Sequence, residues 1–364
     1  MAFEIKDTVL LRYTPEENET TVVIPEGVTE IAEGAFRRMA NIEHVVLPDT
    51  LKKIGDYAFR WTFNLKEFIM PDSVEELGRG CVCNCGVEKV YVSKNVKVIP
   101  PFCFDGNMNC REIILPEGLE EIYPSGIGGS RGLRMLHVPD SVRYLHRRAF
   151  TGSDSMGPGG MNFPKSIETI EMLAFDGASG LKKAELPEGT KKVWKGAFSG
   201  CHSIQTVILP ESVEEIEDRA FAYCIALDSV ALPANLKKIG MGAFYGCANV
   251  TEMDLPAGLE EIGKKAFYNC TGIAEITIPE GIKKISAEMF YGCTQLTSIS
   301  LPSSVEEIGE SAFEGCINLK EISMPSVKKI GKFAFNNCPA LEKPDAPQLQ
   351  ETGKLAFYHS GLKK

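Results

Sequence analysis

The apolar positions of this 364-residue chain follow no single helical or strand period, yet they return as a block. In LPSSVEEIGESAFEGCINLKEIS (301–323) the anchors are Leu301, Val305, Ile308, Ala312, Phe313, Cys316, Leu319 and Ile322. The proline of the block recurs at Pro25, Pro48, Pro71, Pro116, Pro139, Pro164, Pro187, Pro210, Pro233, Pro256, Pro279, Pro302, Pro325 and Pro347, with Ser93 in the one register that lacks it. From Pro187 to Pro325 every step is 23 residues, and the chain holds fifteen units, the last incomplete. One such turn cannot bury its anchors alone, whereas stacked turns can, so the pattern predicts a solenoid.

Within the unit, LTSISLP (296–302) alternates apolar and polar residues and predicts a strand ended by proline. Stacking would align these strands into one parallel sheet at a spacing of about 4.8 Å. The GxxAFxxC segment is too short for a long helix, so short helical or 3₁₀ turns and loops are expected on the opposite side. The expected organisation is one β-rich solenoid over 1–364, of about fifteen 23-residue turns. Residues 1–24 form an N-terminal cap strand region, 25–346 the repeats with irregular units at 78–164, and 347–364 an incomplete last unit.

Units such as LPESVEEIEDRAFAYCIALDSVA (209–231) and LPAGLEEIGKKAFYNCTGIAEIT (255–277) resemble the BspA-like, or treponemal-type, leucine-rich repeat family over roughly residues 20–360. The resemblance implies a curved solenoid and, in much of that family, bacterial or protozoan cell-surface proteins acting in adhesion or protein binding. It implies no catalytic residues and no cofactor.

Charge narrows the classes further. A net charge of −10 argues against a general nucleic-acid or anionic-membrane binder. No apolar run reaches membrane-spanning length, and the start MAFEIKDTVLL is not a secretory segment. Read at face value the chain is not exported, while the resemblance points to the cell surface or a secreted state; a leader removed beforehand would leave the same start.

Acidic and basic pairs alternate from unit to unit: Lys191-Lys192, Glu214-Glu215, Lys237-Lys238, Glu260-Glu261, Lys283-Lys284, Glu306-Glu307, Lys328-Lys329. Adjacent turns would set opposite charges side by side, and a slip by one repeat would set like charges together. This order reads as a structural ladder and not as acid–base chemistry. Cys85, Cys201, Cys224, Cys247, Cys270, Cys293, Cys316 and Cys338 stand three residues after the phenylalanine column and read as reduced core packing. CVCNC (81–85), with Cys103 and Cys110, has enough thiols for zinc. Four of these five sit on core columns, however, and a Cys81–Cys103 contact or disulfide is favoured over a metal.

Departures from the repeat are the candidate functional features. TGSDSMGPGGMNFP (151–164) carries extra glycines and is a binding loop, a hinge or tolerated drift. The glycine after the isoleucine anchor is replaced by Pro100, Tyr123, His146, Glu171, Trp194 and Glu217, so that turn does not require positive φ. Tyr123 and Trp194 are secondary partner-binding candidates, as are Arg131, Arg134, Arg147 and Arg148 in an arginine-rich stretch.

The position two before each proline should face outward on the sheet, the usual recognition face of a repeat solenoid. There Val23, Val46, Ile69, Tyr91 and Ile114 are apolar, His137 follows, and Thr21, His44, Glu67, Lys89 and Glu112 flank them. An apolar stripe with a polar rim suits a protein or glycan-bearing partner held by Val46, Ile69, Tyr91, Ile114 and His137. The expected function is a non-enzymatic protein-binding or adhesion scaffold. The alternative is a structural or weakly self-associating array, given a sheet edge left at the truncated last unit. HExxH, GxSxG and P-loop motifs are all missing, and the five histidines share no metal spacing.

Overall fold

The computed structural model describes residues 2–153, 164 and 166–362. The chain divides into two compact units, Met1–Leu181 and Lys182–Lys364, which together hold about 14 turns. Most of the Gly-rich stretch 151–164 lies outside the described residues.

Among the described residues most turns carry two short strands, not one. In the first unit, Thr21–Val23 pairs in parallel with His44–Val46, and Glu67–Ile69, Lys89–Tyr91, Glu112–Ile114 and Met135–His137 form a four-stranded parallel ribbon. A second ribbon of two-residue strands runs beside it, for example Glu30–Ile31, Lys53–Ile54 and Glu76–Leu77. The second unit repeats the plan, with Glu275–Thr277, Ser298–Ser300, Glu321–Ser323 and Lys343–Asp345 in one ribbon. Lys284–Ile285, Glu307–Ile308, Lys329–Ile330 and Glu351–Thr352 lie in the other. Two residues are too few to show alternation, which is why the sequence pattern predicts a single sheet.

The expected short helices are absent among the described residues. In GxxAFxxC the residue before the alanine and the second residue after the phenylalanine both take left-handed φ, as at Tyr57 (54°) and Trp61 (67°) or Ser311 (52°) and Gly315 (77°). A left-handed residue ends any right-handed helical run. What the alternation achieves is axial hydrogen bonding: Gly34, Phe36 and Arg38 donate their amides to the carbonyls of Asp56, Ala58 and Arg60 in the next turn. The glycine after the isoleucine anchor has a different origin. Gly240 has no positive φ, but a Cβ there would lie 2.5 Å from the Asp218 amide nitrogen of the preceding turn. Glycine therefore permits close backbone approach at this point, and its loss in the middle units does not reflect a relaxed φ requirement.

The core is a file of stacked rings. Phe198, Phe221, Phe244, Phe267, Phe290, Phe313, Phe335 and Phe357 follow one another at centroid distances of 5.2 to 5.8 Å, nearly parallel. At the N-terminal end an antiparallel hairpin, Ala2–Lys6 with Val9–Thr14, places Tyr13 in the same column, 5.1 Å from Phe36. The hairpin joins the ribbon of two-residue strands through Val9 and Leu10, which pair in parallel with Glu30 and Ile31.

Beside the rings, the cysteines are buried free thiols, but they are more than apolar fillers. The Sγ of Cys224, Cys247, Cys270, Cys293 and Cys316 donates to the carbonyl of the phenylalanine one turn back, Phe198, Phe221, Phe244, Phe267 and Phe290, at 3.0 to 3.2 Å. Where the column lacks cysteine, Ser153 reaches Ile127 O at 3.2 Å and Asn107 reaches Val82 O at 2.8 Å. The column thus supplies a donor in these turns, although Ala178, buried at the same position, has none. Burial pushes the Cys247 and Cys293 thiols up to about 12, so the reactive thiolate is suppressed.

The charge ladder runs along the two-residue ribbon. Lys238 faces Glu215 at 3.7 Å and Glu261 at 3.6 Å; Lys192 meets Glu215 at 2.7 Å, and Lys284 meets Glu307 at 2.7 Å. The open grooves between these pairs are lined mostly by lysines and glutamates, several of them paired, as Lys191 is with Glu214 and Lys328 with Glu306.

Two outcomes are expected. Cys270→Ala should destabilise by about 1 kcal/mol more than Cys270→Ser in chemical denaturation, because serine keeps the donor; a filler role would reverse that order. Lys238→Glu, which sets three acids in a row, should cost about 1 kcal/mol at low salt and less at 0.5 M salt in the same assay.

Candidate functional site

The three-residue ribbon of the first unit presents its central residues inward and its ends outward, because neighbouring strand residues alternate in direction. Val22, Phe68, Val90 and Ile113 are buried, while Val46 is 51%, Ile69 54% and Ile114 37% exposed. Val23 pairs with Val46; Ile69, Tyr91, Ile114 and His137 occupy successive rungs. Tyr91 is half-buried, its ring 4.7 Å from the Lys89 ammonium, and His137 is exposed. Lys89 also pairs with Glu112 at 2.7 Å, and that hydrogen bond raises its pKa. The stripe therefore has a charged border whose partners neutralise each other.

The secondary candidates come from different loops. Arg131 and Arg134 belong to the loop entering Met135–His137, whereas Arg147 and Arg148 lie in the turn that follows Tyr144–Leu145. Between them Arg143 is taken up by Glu168, its Nε at 2.8 Å. Tyr123 packs 4.3 Å from the ring of His146, which sits between Glu121 (3.0 Å to Nε2) and Glu171 (3.1 Å to Nδ1). This ridge is bound up within the protein. Trp194, in the second unit, is half-buried.

The cysteine-rich segment separates as its columns imply. Cys81 Sγ lies 3.4 Å from Cys103 Sγ, both as free thiols, while Cys85 donates to Phe59 O at 2.9 Å and Cys110 to Glu112 O at 3.4 Å. Among the described residues no three His, Cys, Asp or Glu side chains gather as a metal site.

One cluster is missing from the sequence-based candidates. The guanidinium carbons of Arg37, Arg38 and Arg60 lie 4.9, 4.7 and 4.1 Å from the Trp61 ring centroid. These residues come from two successive turns, so linear spacing hides them. A signal was nonetheless present: Arg38 and Trp61 occupy the left-handed position that most turns fill with glycine or asparagine. At the same position Tyr223 begins a tyrosine file with Tyr245, Tyr268 and Tyr291, the last three stacked at 4.5 Å.

Parallel two-strand turns stacked on phenylalanine and cysteine columns define a leucine-rich-repeat solenoid. The chain belongs to the BspA type leucine rich repeat family: the pattern of that region, in 6 copies, matches residues 18–157, 160–274 and 237–364. A leucine-rich repeat protein from Bacteroides ovatus is similar in structure, with a TM-score of 0.57 and 26% identity over 93% of this chain and 76% of that one. A leucine-rich repeat protein of T. pallidum is 30% identical over 42% of this chain and 72% of that one, with a TM-score of 0.40. One from Eubacterium ventriosum is 21% identical over 95% and 78%, with a TM-score of 0.41. No curated protein matches the chain significantly. Among the described residues no helix is long and apolar enough to cross a membrane.

Asp105 provides a pH test of the turn side. Burial lifts its carboxyl from 3.8 to about 6. Stability from this group is full below 3.8 and is lost as pH rises through about 6, because the folded state binds the proton more tightly. Asp105→Asn should therefore stabilise the protein at pH 7, by about 1 kcal/mol after allowance for partial exposure, with the gain closing toward pH 4 in calorimetry.

Proposed function

We propose that the chain is a non-enzymatic protein-binding scaffold whose partner lies on the outer strand face of the N-terminal turns. One observation supports this most: Val23, Val46, Ile69 and Ile114 stand exposed at equivalent positions of neighbouring turns, where folding alone favours polar side chains. At the same rungs the second unit carries Glu185, Thr277, Ser300 and Ser323 beside one exposed large aliphatic, Ile208, so the solenoid itself does not demand apolar residues there. Folding leaves these apolar side chains partly wet, and a partner would remove that cost.

Contacts would divide by chemistry. Val46, Ile69 and Ile114 bury against apolar groups, Tyr91 adds a ring with a polar end, and His137 with the Lys89–Glu112 pair sets the polar rim. Repeat scaffolds of this family present such faces to other proteins, and adhesion at a cell surface, to a protein or a glycan-bearing partner, is the setting this reading favours.

Full burial of each half-exposed aliphatic side chain contributes about 1 kcal/mol. Replacing Ile69, Tyr91 and Ile114 together by serine should thus weaken partner capture by about tenfold or more while leaving the thermal midpoint near that of the parent. The comparison is made by affinity capture from the native surroundings followed by titration. Undiminished capture by the folded variant would defeat the proposal, as would concentration-dependent self-association in light scattering that the substitutions abolish.

A further inference from the structure

The Arg37–Arg38–Arg60–Trp61 cluster lies on the turn side of the first unit and is independent of the strand-face reading. Three cations surround one indole, with separations of 4.1 to 4.9 Å from its centroid, yet none of the three forms an ion pair with a carboxylate among the described residues. Many other basic side chains of this acidic chain are paired with carboxylates, as Lys52 is with Glu75 and Lys94 with Asp72. Like charges crowded on one ring repel, and a cation–π contact offsets only part of that at the surface.

Two further features set the cluster apart. Arg60 Nε is buried and meets no hydrogen-bond acceptor among the described residues, and an unpaired buried donor is costly. Arg38 and Trp61 also hold left-handed φ of 66° and 67°, a conformation strained for large L-residues and occupied by Gly106, Gly129, Gly200 or Gly292 in other turns. Charge crowding, an orphan donor and backbone strain coincide in two adjacent turns. The left-handed φ itself serves the axial hydrogen bonds of the stack; the large side chains held there, the crowded charge and the orphan donor are what stacking does not require, since turns with glycine at this position stack without them.

We propose that this cluster binds an acidic peptide segment of a partner protein, its carboxylates clasped by the guanidinium edges. The indole face is already covered by guanidiniums, so it offers no platform for a sugar ring or a base. What remains outward are planar N–H forks, which match carboxylates in bidentate pairs. The cluster is compact, gathered around one ring, and the chain's net charge of −10 opposes a long polyanion. A short acidic run satisfies the three arginines without that penalty. Phe63, 58% exposed two residues beyond Trp61, gives the segment an apolar neighbour to rest on.

The test is fluorescence anisotropy of a labelled hexaglutamate peptide ending in two leucines, with Trp61 emission read in a Trp194→Phe background. Binding should quench or shift Trp61 emission, and affinity should fall as salt rises. Arg37→Gln/Arg38→Gln/Arg60→Gln should lose about tenfold or more in affinity, whereas Lys264→Gln/Lys332→Gln/Lys354→Gln, with the same charge change in the second unit, should not. Arg37→Lys/Arg38→Lys/Arg60→Lys keeps the charge and loses the fork, and it should bind severalfold more weakly than the parent. Circular dichroism establishes that each variant is folded. Equal affinity in the two glutamine triples, or an unchanged lysine triple, would overturn the proposal. So would a sulfated oligosaccharide that displaces the peptide at lower concentration than the peptide itself requires.

Discussion

In a chain that coils without helices, short turn bonds such as Cys201 N–H to Phe198 O satisfy only part of the buried backbone, so the remaining amides and carbonyls find their partners in the turn above or below. This constraint organises the molecule. The strand ribbons meet it on two sides, through in-register pairs such as Ile285 with Ile308. The turn side meets it by alternating the sign of φ, which aims the amides of residues such as Phe244 at Ala266 O in the next turn. Where the phenylalanine carbonyl still has a lone pair to fill, the cysteine thiol of the following turn supplies a hydrogen. Gly240 and its equivalents let successive backbones pass close enough for all these bonds to form together.

The glutamate pair and cysteine of VEEIGESAFEGC acquire their meaning from the same constraint. Glu306 and Glu307 are ladder members paired with Lys328 and Lys284, and Cys316 is a buried donor to Phe290. With the interior fixed by stacking, selection for binding is left to the outward ends of the strands and to the turn side. The two features that stacking does not explain lie there: the Val46–Ile69–Ile114 stripe and the arginines around Trp61.

Much of this is legible in sequence because a 23-residue repeat prints each structural position many times. The three-residue strands, the outward direction of Ile69 and Ile114, the lysine–glutamate order and the burial of the cysteines all follow from column composition. The left-handed positions do not, because Tyr57, Phe102 and Leu173 occupy them as readily as Gly80 or Gly196. Spatial clusters made from different turns are also hidden: Trp61 meets Arg38, and His146 meets Glu121 and Glu171, across 23 to 25 residues of chain. The donor role of the thiols becomes visible only when Phe244 O is seen 3.0 Å from Cys270. Serine and asparagine in the same column were the clue.

The interlocking of turns is tested most directly by pulsed alkylation of the native protein, resolving the rate at each cysteine from Cys201 to Cys338 as denaturant is raised. If the thiols are bonded into the stack, labelling of Cys247, Cys270 and Cys293 should track loss of circular dichroism and be negligible before it. Rapid alkylation of these three cysteines while the strand signal is intact would contradict the claim that cross-turn bonding holds the solenoid together.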